Sequence, residues 1–335
     1  MTQHNLVKVY RNNVLESIHN VHVAVVDTKG ELLLHIGDPD FQAYARSSLK
    51  PFQAIPLIKS GASEYFNYTS EEIAISCASH SGESIHRQVV ENILSKIDET
   101  EASLICGAHV PRDIEGFEQW IKDGNQLTKI FNNCSGKHAS MIATCKYTNK
   151  DIDSYYQPDH PLQLEIKDLI QDICGISDSN IAVGEDGCGL PVYSFPLKNL
   201  AFGFCKLGNP DIIAEKNLRE AIVKIQDSMI TSPYFVAGKN RFDTDAMKIL
   251  NGKIVSKMGA EGIQGIGVID KGIGIAIKVE DGANRGADIV GMHVLNHLGL
   301  IDKKELEQLL AYYEPEILNT NGKKVGHISF ELDFN

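Results

Sequence analysis

Apolar residues recur along this chain in two rhythms, and the rhythm changes with position. Near the start, Val21–Asp27 is almost wholly apolar and β-branched, Thr28-Lys29-Gly30 has turn chemistry, and Glu31–His35 is apolar again. Run, turn and run predict a β-hairpin. The pattern returns near the other end. Gly252–Lys257 reads as a strand and Ile263–Ile269 as a second, and Asp270-Lys271-Gly272 turns the chain into a third over Ile273–Val279. A three-and-four spacing takes over at Ala287–Leu298 and Lys303–Tyr313, and mid-chain at Glu91–Ile97 and Glu215–Gln226, which predicts helices there. Hairpins at opposite ends can share one antiparallel sheet. The expectation is therefore an α+β fold, with an antiparallel sheet of N- and C-terminal strands, flanking helices and a helical lobe. As a single domain over 1–335, the sheet lobe would take about 1–45 plus 252–335, and a mainly helical lobe about 46–251.

Composition narrows the functional classes. The chain has 335 residues, 43% hydrophobic and 23% charged, which suits an ordinary globular protein with a sizeable core. Its net charge of -12 disfavours nucleic acid and anionic membranes as partners but leaves a small polar substrate open. No run is long enough to span a bilayer, and Met1–Arg11 lacks the apolar core of a signal peptide, so the expected location is cytoplasmic. Seven irregularly spaced cysteines fit buried thiols better than a disulfide framework, with one or two free to react or bind metal.

Five stretches could carry chemistry. In Arg46-Ser47-Ser48-Leu49-Lys50-Pro51, a helix starting near Ser47 would place Lys50 one turn on, on the same face as the serine. A lysine so placed can take a hydroxyl proton, the S-x-x-K logic of the penicillin-recognising serine enzymes. The same letters also suit a plain helix cap with a solvated lysine, and Pro56 would kink or split that helix. In Ile73–Val90, a strand-like or buried segment ends in small residues, and a helix starts near Ser81 or Gly82. Ser79 falls at the junction, as a cleft residue or a cap. Asn132–Lys146 reads as a loop followed by a helix, with Cys134 at its start, where thiolate is favoured, and Ser135-Gly136-Lys137-His138 able to hold an anion. In Val183–Pro191, glycines flank Asp186 and Cys188, marking either a site loop or a simple turn. Lys257 ends a predicted strand before small residues, resembling the K-T-G strand of the same serine enzymes but with Met258 at the polar position. The glycine-rich Gly262–Gly267 lies between strands and is a weak nucleotide signal.

Taken in order, Arg46–Gln53, Cys77–Glu83, Asn133–Ala139, Gly184–Pro191 and Lys257–Gly262 resemble a known family: the bacterial asparaginases of serine β-lactamase/transpeptidase-like fold, distinct from those with threonine nucleophiles. The resemblance covers most of the chain. It implies hydrolysis of L-asparagine to aspartate and ammonia through an acyl-enzyme. It implies two serine–lysine pairs, Ser47 with Lys50 and Ser79 with Lys257, and leaves open which serine attacks. It also implies a zinc site from Cys134, Lys137 and Cys188, and a homodimer. The residues alone would have put His138 beside two thiolates rather than a lysine. Expected at the substrate are His138, Asp186 for its ammonium and Arg46 for its carboxylate, the last by charge complementarity alone. Two other readings remain: another serine hydrolase of this architecture, acting on glutamine, a peptide or a β-lactam, and a zinc-binding or oligomeric protein whose serines only cap helices.

Overall fold

The long strand Val14–Val26 organises the sheet in the computed structural model, which describes residues 6–331. Its first half pairs antiparallel with Leu6–Arg11, and its second half with both Leu32–Ile36 and Ile273–Val279. Across the sheet the order is Glu316–Leu318, Lys324–Phe330, Leu6–Arg11, Val14–Val26, Ile273–Val279, Ile263–Val268 and Ile254–Gly259, with Leu32–Ile36 off this path. Both ends of the chain thus build one antiparallel sheet, as expected. Three of its strands, Leu6–Arg11, Glu316–Leu318 and Lys324–Phe330, were not anticipated.

Two helices enclose the centre of this sheet. Leu197–Gly208 lies on the strands Val14–Val26, Ile263–Val268 and Ile273–Val279, and Asn284–His297 packs on the same three. They take opposite faces. A Cβ at Gly274 would stand 1.9 Å from Ala201 O of the first helix, whereas Val279 Cγ2 would meet a Cβ at Gly286 of the second at 3.1 Å. Residues 274 and 279 differ by an odd number, so they point to opposite sides of the strand. Covered on both faces, Ile263–Val268 is buried at every position. Its glycines have a packing reason: a Cβ at Gly267 would stand 2.3 Å from Phe204 O. The glycine-rich run therefore brings helix and sheet backbones close.

The chain forms two units. The sheet unit comprises the chain up to Ser48, Phe195–Asn209 and the chain from Asp245 onward; the second is Leu49–Ser194 with Pro210–Thr244. In the second, mainly helical unit, the short helix Ser70–Ser76 packs against Ser84–Lys96, Ser135–Tyr147 and Lys216–Thr231. The apolar run at Ile73 is thus helical rather than strand-like. Thr69 and Glu72 make a reciprocal capping box at its start, a device worth about 1 kcal/mol. Other boundaries also differ. The helix after Ser79 begins at Ser84 with no side-chain cap, and Lys303–Tyr313 breaks at Leu309 into two short helices. The segment after Ser47 does split at Pro56's helix: a 3-10 turn over Arg46–Leu49 leads into Lys50–Gln53 and then Ile55–Lys59.

Candidate active site

Helix Ser70–Ser76 ends at Cys77, and the chain emerges as Ala78-Ser79 among the helices. Here Ser79 N–H donates to Val236 O at 3.0 Å, and Ser81 Oγ donates to Ala237 O at 2.8 Å. Two links to one neighbouring segment fix the serine backbone. They also answer the cap reading, because neither serine caps the following helix.

Lys50 is fully buried, and its ammonium nitrogen has three partners: Ser79 Oγ at 3.0 Å, Asn133 O at 3.4 Å and Ala78 O. A buried lysine without partners would be strongly destabilising. Two of these partners are carbonyls, which only accept. They hold two N–H bonds and leave the third tetrahedral position facing the Ser79 hydroxyl. In the amine form, that position holds the lone pair, so the geometry suits proton exchange between Ser79 and Lys50. The lysine that the motif grouped with Ser47 is hydrogen-bonded to Ser79.

The thiol cluster is built on two elements of the same unit. Cys134 precedes the first turn of Ser135–Tyr147, and Asp186 and Cys188 lie in the turn between Ala182–Glu185 and Pro191–Pro196. That turn is closed by Asp186 N–H donating to Leu190 O and Gly189 N–H to Asp186 O. The sulfurs of Cys134 and Cys188 and a carboxylate oxygen of Asp186 all lie within 4.8 Å of one another, and Lys137 Nζ is 3.1 Å from Cys188 Sγ. Cys134 is held well below the ordinary thiol range, first by the hydrogen bond from Cys188 and then by the charges of Lys50 and Lys137. Cys188 is pushed up, because it gives that bond and because it is buried. Burial works against the charge on Lys137, but Cys188, Cys134 and Asp186 outweigh it and raise its pKa. The cluster thus sets two thiols and a lysine beside one carboxylate, with the thiolate favoured on Cys134.

Donors sharing a tetrahedral zinc at about 2.3 Å stand about 4 Å apart, so this spacing, with two sulfurs, an oxygen and an amine, fits the ion. His138 is not part of that cluster. Its Nδ1 is 2.6 Å from Tyr155 Oη, and burial, then Lys137 and Lys50, push its pKa well down.

Arg46, Ser47 and Lys257 belong to the sheet unit. There the strand carrying Lys257 ends beside the Ala45-Arg46 segment: a Cβ at Gly259 would stand 2.8 Å from Ala45 O and 3.3 Å from Arg46 Cβ. Lys257 is fully buried and donates to Met258 O at 2.8 Å. Arg46 has a φ of 50°, in the left-handed region that non-glycine residues seldom adopt.

Sequence reasoning passed over His80, next to Ser79. Gly82 N–H donates to its Nδ1 at 3.2 Å, so the ring proton is on Nε2, which donates to Ser135 Oγ at 2.9 Å; Ser135 in turn donates to Ile130 O at 3.1 Å. His80 thus ties the Ser79 segment to the helix start that carries Cys134 and Lys137. A histidine beside a candidate serine was the available signal. The Ala78 and Asn133 carbonyls that orient Lys50 are backbone groups, and no residue type announces them.

A match over nearly the whole described chain gives this protein its family. It belongs to the L-asparaginase II family, whose profile covers residues 7–330. Solved structures of Mglu are also similar to it. The native form in 4.3 M NaCl has a TM-score of 0.39 at 13% identity over 85% of this chain. A glutamate form has a TM-score of 0.40 at 12% identity over 84% of this chain. The chain spans 62% and 61% of those two structures. No curated protein matches it. Among the described residues, no helix is long and apolar enough to cross a membrane.

Proposed function

We propose that this protein hydrolyses L-asparagine to L-aspartate and ammonia, with Ser79 as nucleophile and Lys50 as its general base. The carrying observation is the buried Lys50 amine, oriented by two carbonyls onto Ser79 Oγ at 3.0 Å. Family membership supports the amide substrate. Ser79 Oγ bonds to the side-chain amide carbon as its proton passes to Lys50. Lys50 then returns the proton to the departing nitrogen, the C–N bond breaks, ammonia leaves and an aspartyl ester remains. Water, deprotonated by the same amine, cleaves the ester and frees Ser79.

Cys134, Lys137 and Cys188, with Asp186 beside them, would hold zinc, and Lys137 would bind as the neutral amine. When bound, zinc would supply a fixed positive charge to the site. Asp186 and His138 are the substrate contacts we assign to this unit, for the ammonium and an oxygen respectively. Arg46, Ser47 and Lys257 enter through the family resemblance, as carboxylate partner, second serine and second lysine.

A second reading makes Ser47 the attacking serine and Ser79 its proton relay. It is favoured by one observation: Ser79's own N–H is already given to Val236 O, so it is not free to bind the developing oxyanion. Rapid acid quench and peptide mapping of the aspartyl ester separates the two readings.

Ammonia release tests the function. Ser79→Ala and Lys50→Met should each lower kcat about 10²–10⁴-fold with circular dichroism unchanged. Lys257→Met should abolish turnover if the second lysine takes part. A near-normal rate in Lys50→Met would sink the mechanism. Faster release from glutamine would overturn the substrate assignment, since the extra methylene is worth only about 1–3 kcal/mol.

A further inference from the structure

Tyr155 is fully buried in the helical unit and lies outside every motif above. Its hydroxyl oxygen accepts from Ile105 N–H at 3.1 Å and lies 2.6 Å from His138 Nδ1. His138 is also fully buried, and its Nε2 has no hydrogen-bond partner among the described residues. The proton positions follow from counting. If His138 carried its proton on Nδ1 and gave it to Tyr155, the tyrosine O–H would have no acceptor, and the Nε2 lone pair would have no donor. Two buried groups would then be unsatisfied. If Tyr155 donates to Nδ1, the proton sits on Nε2, and a single group, that N–H, lacks a partner. Leaving a buried polar group unpaired costs about 1–3 kcal/mol, so the second arrangement holds. The Ile105 amide takes part as well: by donating to the tyrosine oxygen, it turns the one tyrosine proton toward the ring.

This leaves a buried Nε2–H with no hydrogen-bond partner among the described residues. His138 lies one helical turn beyond Cys134. We infer that Tyr155 is a positioning residue: it locks His138 as the Nε2–H tautomer, so that this N–H donates to an oxygen of the bound amino-acid substrate. The inference rests on the amidase reading for the identity of that ligand, but the tautomer does not depend on it.

NMR of protein with isotope-labelled histidine tests this, with the His138 signals assigned by their loss in His138→Gln. In the wild type at neutral pH, the ring should show the Nε2–H form, and L-aspartate, the stable product, should shift its Nε2–H resonance. Tyr155→Phe keeps the ring packing but removes the O–H. It should give a mixed tautomer and a KM for asparagine raised about tenfold, with kcat changed less. A merely structural tyrosine would leave the tautomer unchanged while lowering the melting temperature. An Nδ1–H form in the wild type overturns the proposal. So does an Nε2–H resonance that ignores aspartate, which would mark an internal water as its partner. If Tyr155→Phe does not fold, Ile105→Pro, which deletes the amide that orients the tyrosine, gives the same tautomer readout. A clean Nε2–H form in a protein that releases no ammonia from asparagine would instead overturn the substrate assignment and leave the tautomer standing.

Discussion

His80 shows how much one side chain beside a reactive residue can carry. Its ring is neutral because burial strips the charged form, and the neighbouring charges of His86 and Lys50 add to that. The folded pKa is therefore depressed below the ordinary value near 6.5. The unfolded chain binds the proton more readily, so His80's contribution to stability is complete above about pH 6.5 and falls away as pH drops toward the folded value. Urea unfolding at pH 7.5 and pH 5.5 should show a loss of stability on acidification that is smaller in His80→Gln, which has no titrating ring. An equal loss in both proteins would remove His80 as its source. At this scale the sequence was informative about side chains and silent about backbone. Ser79, Lys50, Cys134 and Cys188 could be picked out by type and spacing, whereas the carbonyls that aim Lys50 had no letter to mark them. Nor did Tyr155, whose surroundings, Asp151–His160, look like an ordinary polar loop.

Elements succeed or fail as readings according to how much of their partner lies nearby. Both predicted hairpins, Val21–His35 and Ile263–Val279, are present, because turn chemistry and β-branched runs are local signals. Leu6–Arg11 and Lys324–Phe330 escaped notice: each alternates over only a few residues and includes lysine, and they pair with each other from opposite ends of the chain. The Ile73 run was ambiguous for another reason. Five apolar or small residues fit a buried strand or helix equally, and the Thr69/Glu72 capping box was the deciding signal. Gly136 adds a packing reason to the helix start expected at Ser135–His138. It sits inside the helix, and a Cβ there would stand 2.4 Å from Ile75 O. Its absence of side chain lets the helix bearing Lys137 touch the helix that ends before Ser79. Gly136→Ala should destabilise the fold by about 1–3 kcal/mol and lower kcat, despite alanine's better helix propensity. An unchanged melting temperature and rate would refute that close approach.

For the molecule as a whole, the α+β class, a sheet shared by the chain ends and membership of the asparaginase family were all legible, because order along the chain supplied what no single motif could. The metal expectation is testable at this scale. Protein purified in zinc-containing buffer and then dialysed should hold about one zinc per chain by elemental analysis, and Cys134→Ser and Cys188→Ser should each hold far less. Equal zinc in wild type and variants would place any ion elsewhere.

Pairing Val7 with Phe330 also sets an order of events. Much of the helical unit is one continuous stretch, Leu49–Ser194, whose contacts can form while later residues are still unstructured. The sheet cannot be completed until the strands from Ile254 onward have arrived, and loops this long make for slow pairing. In refolding of the full chain followed by pulsed hydrogen exchange, amides of Ser135–Tyr147 should gain protection before those of Leu6–Arg11. Simultaneous protection would mean that the two units fold as one. On the ribosome, the same order would leave one edge of Leu6–Arg11, whose other edge can pair at once with Val14–Val26, waiting for Lys324–Phe330.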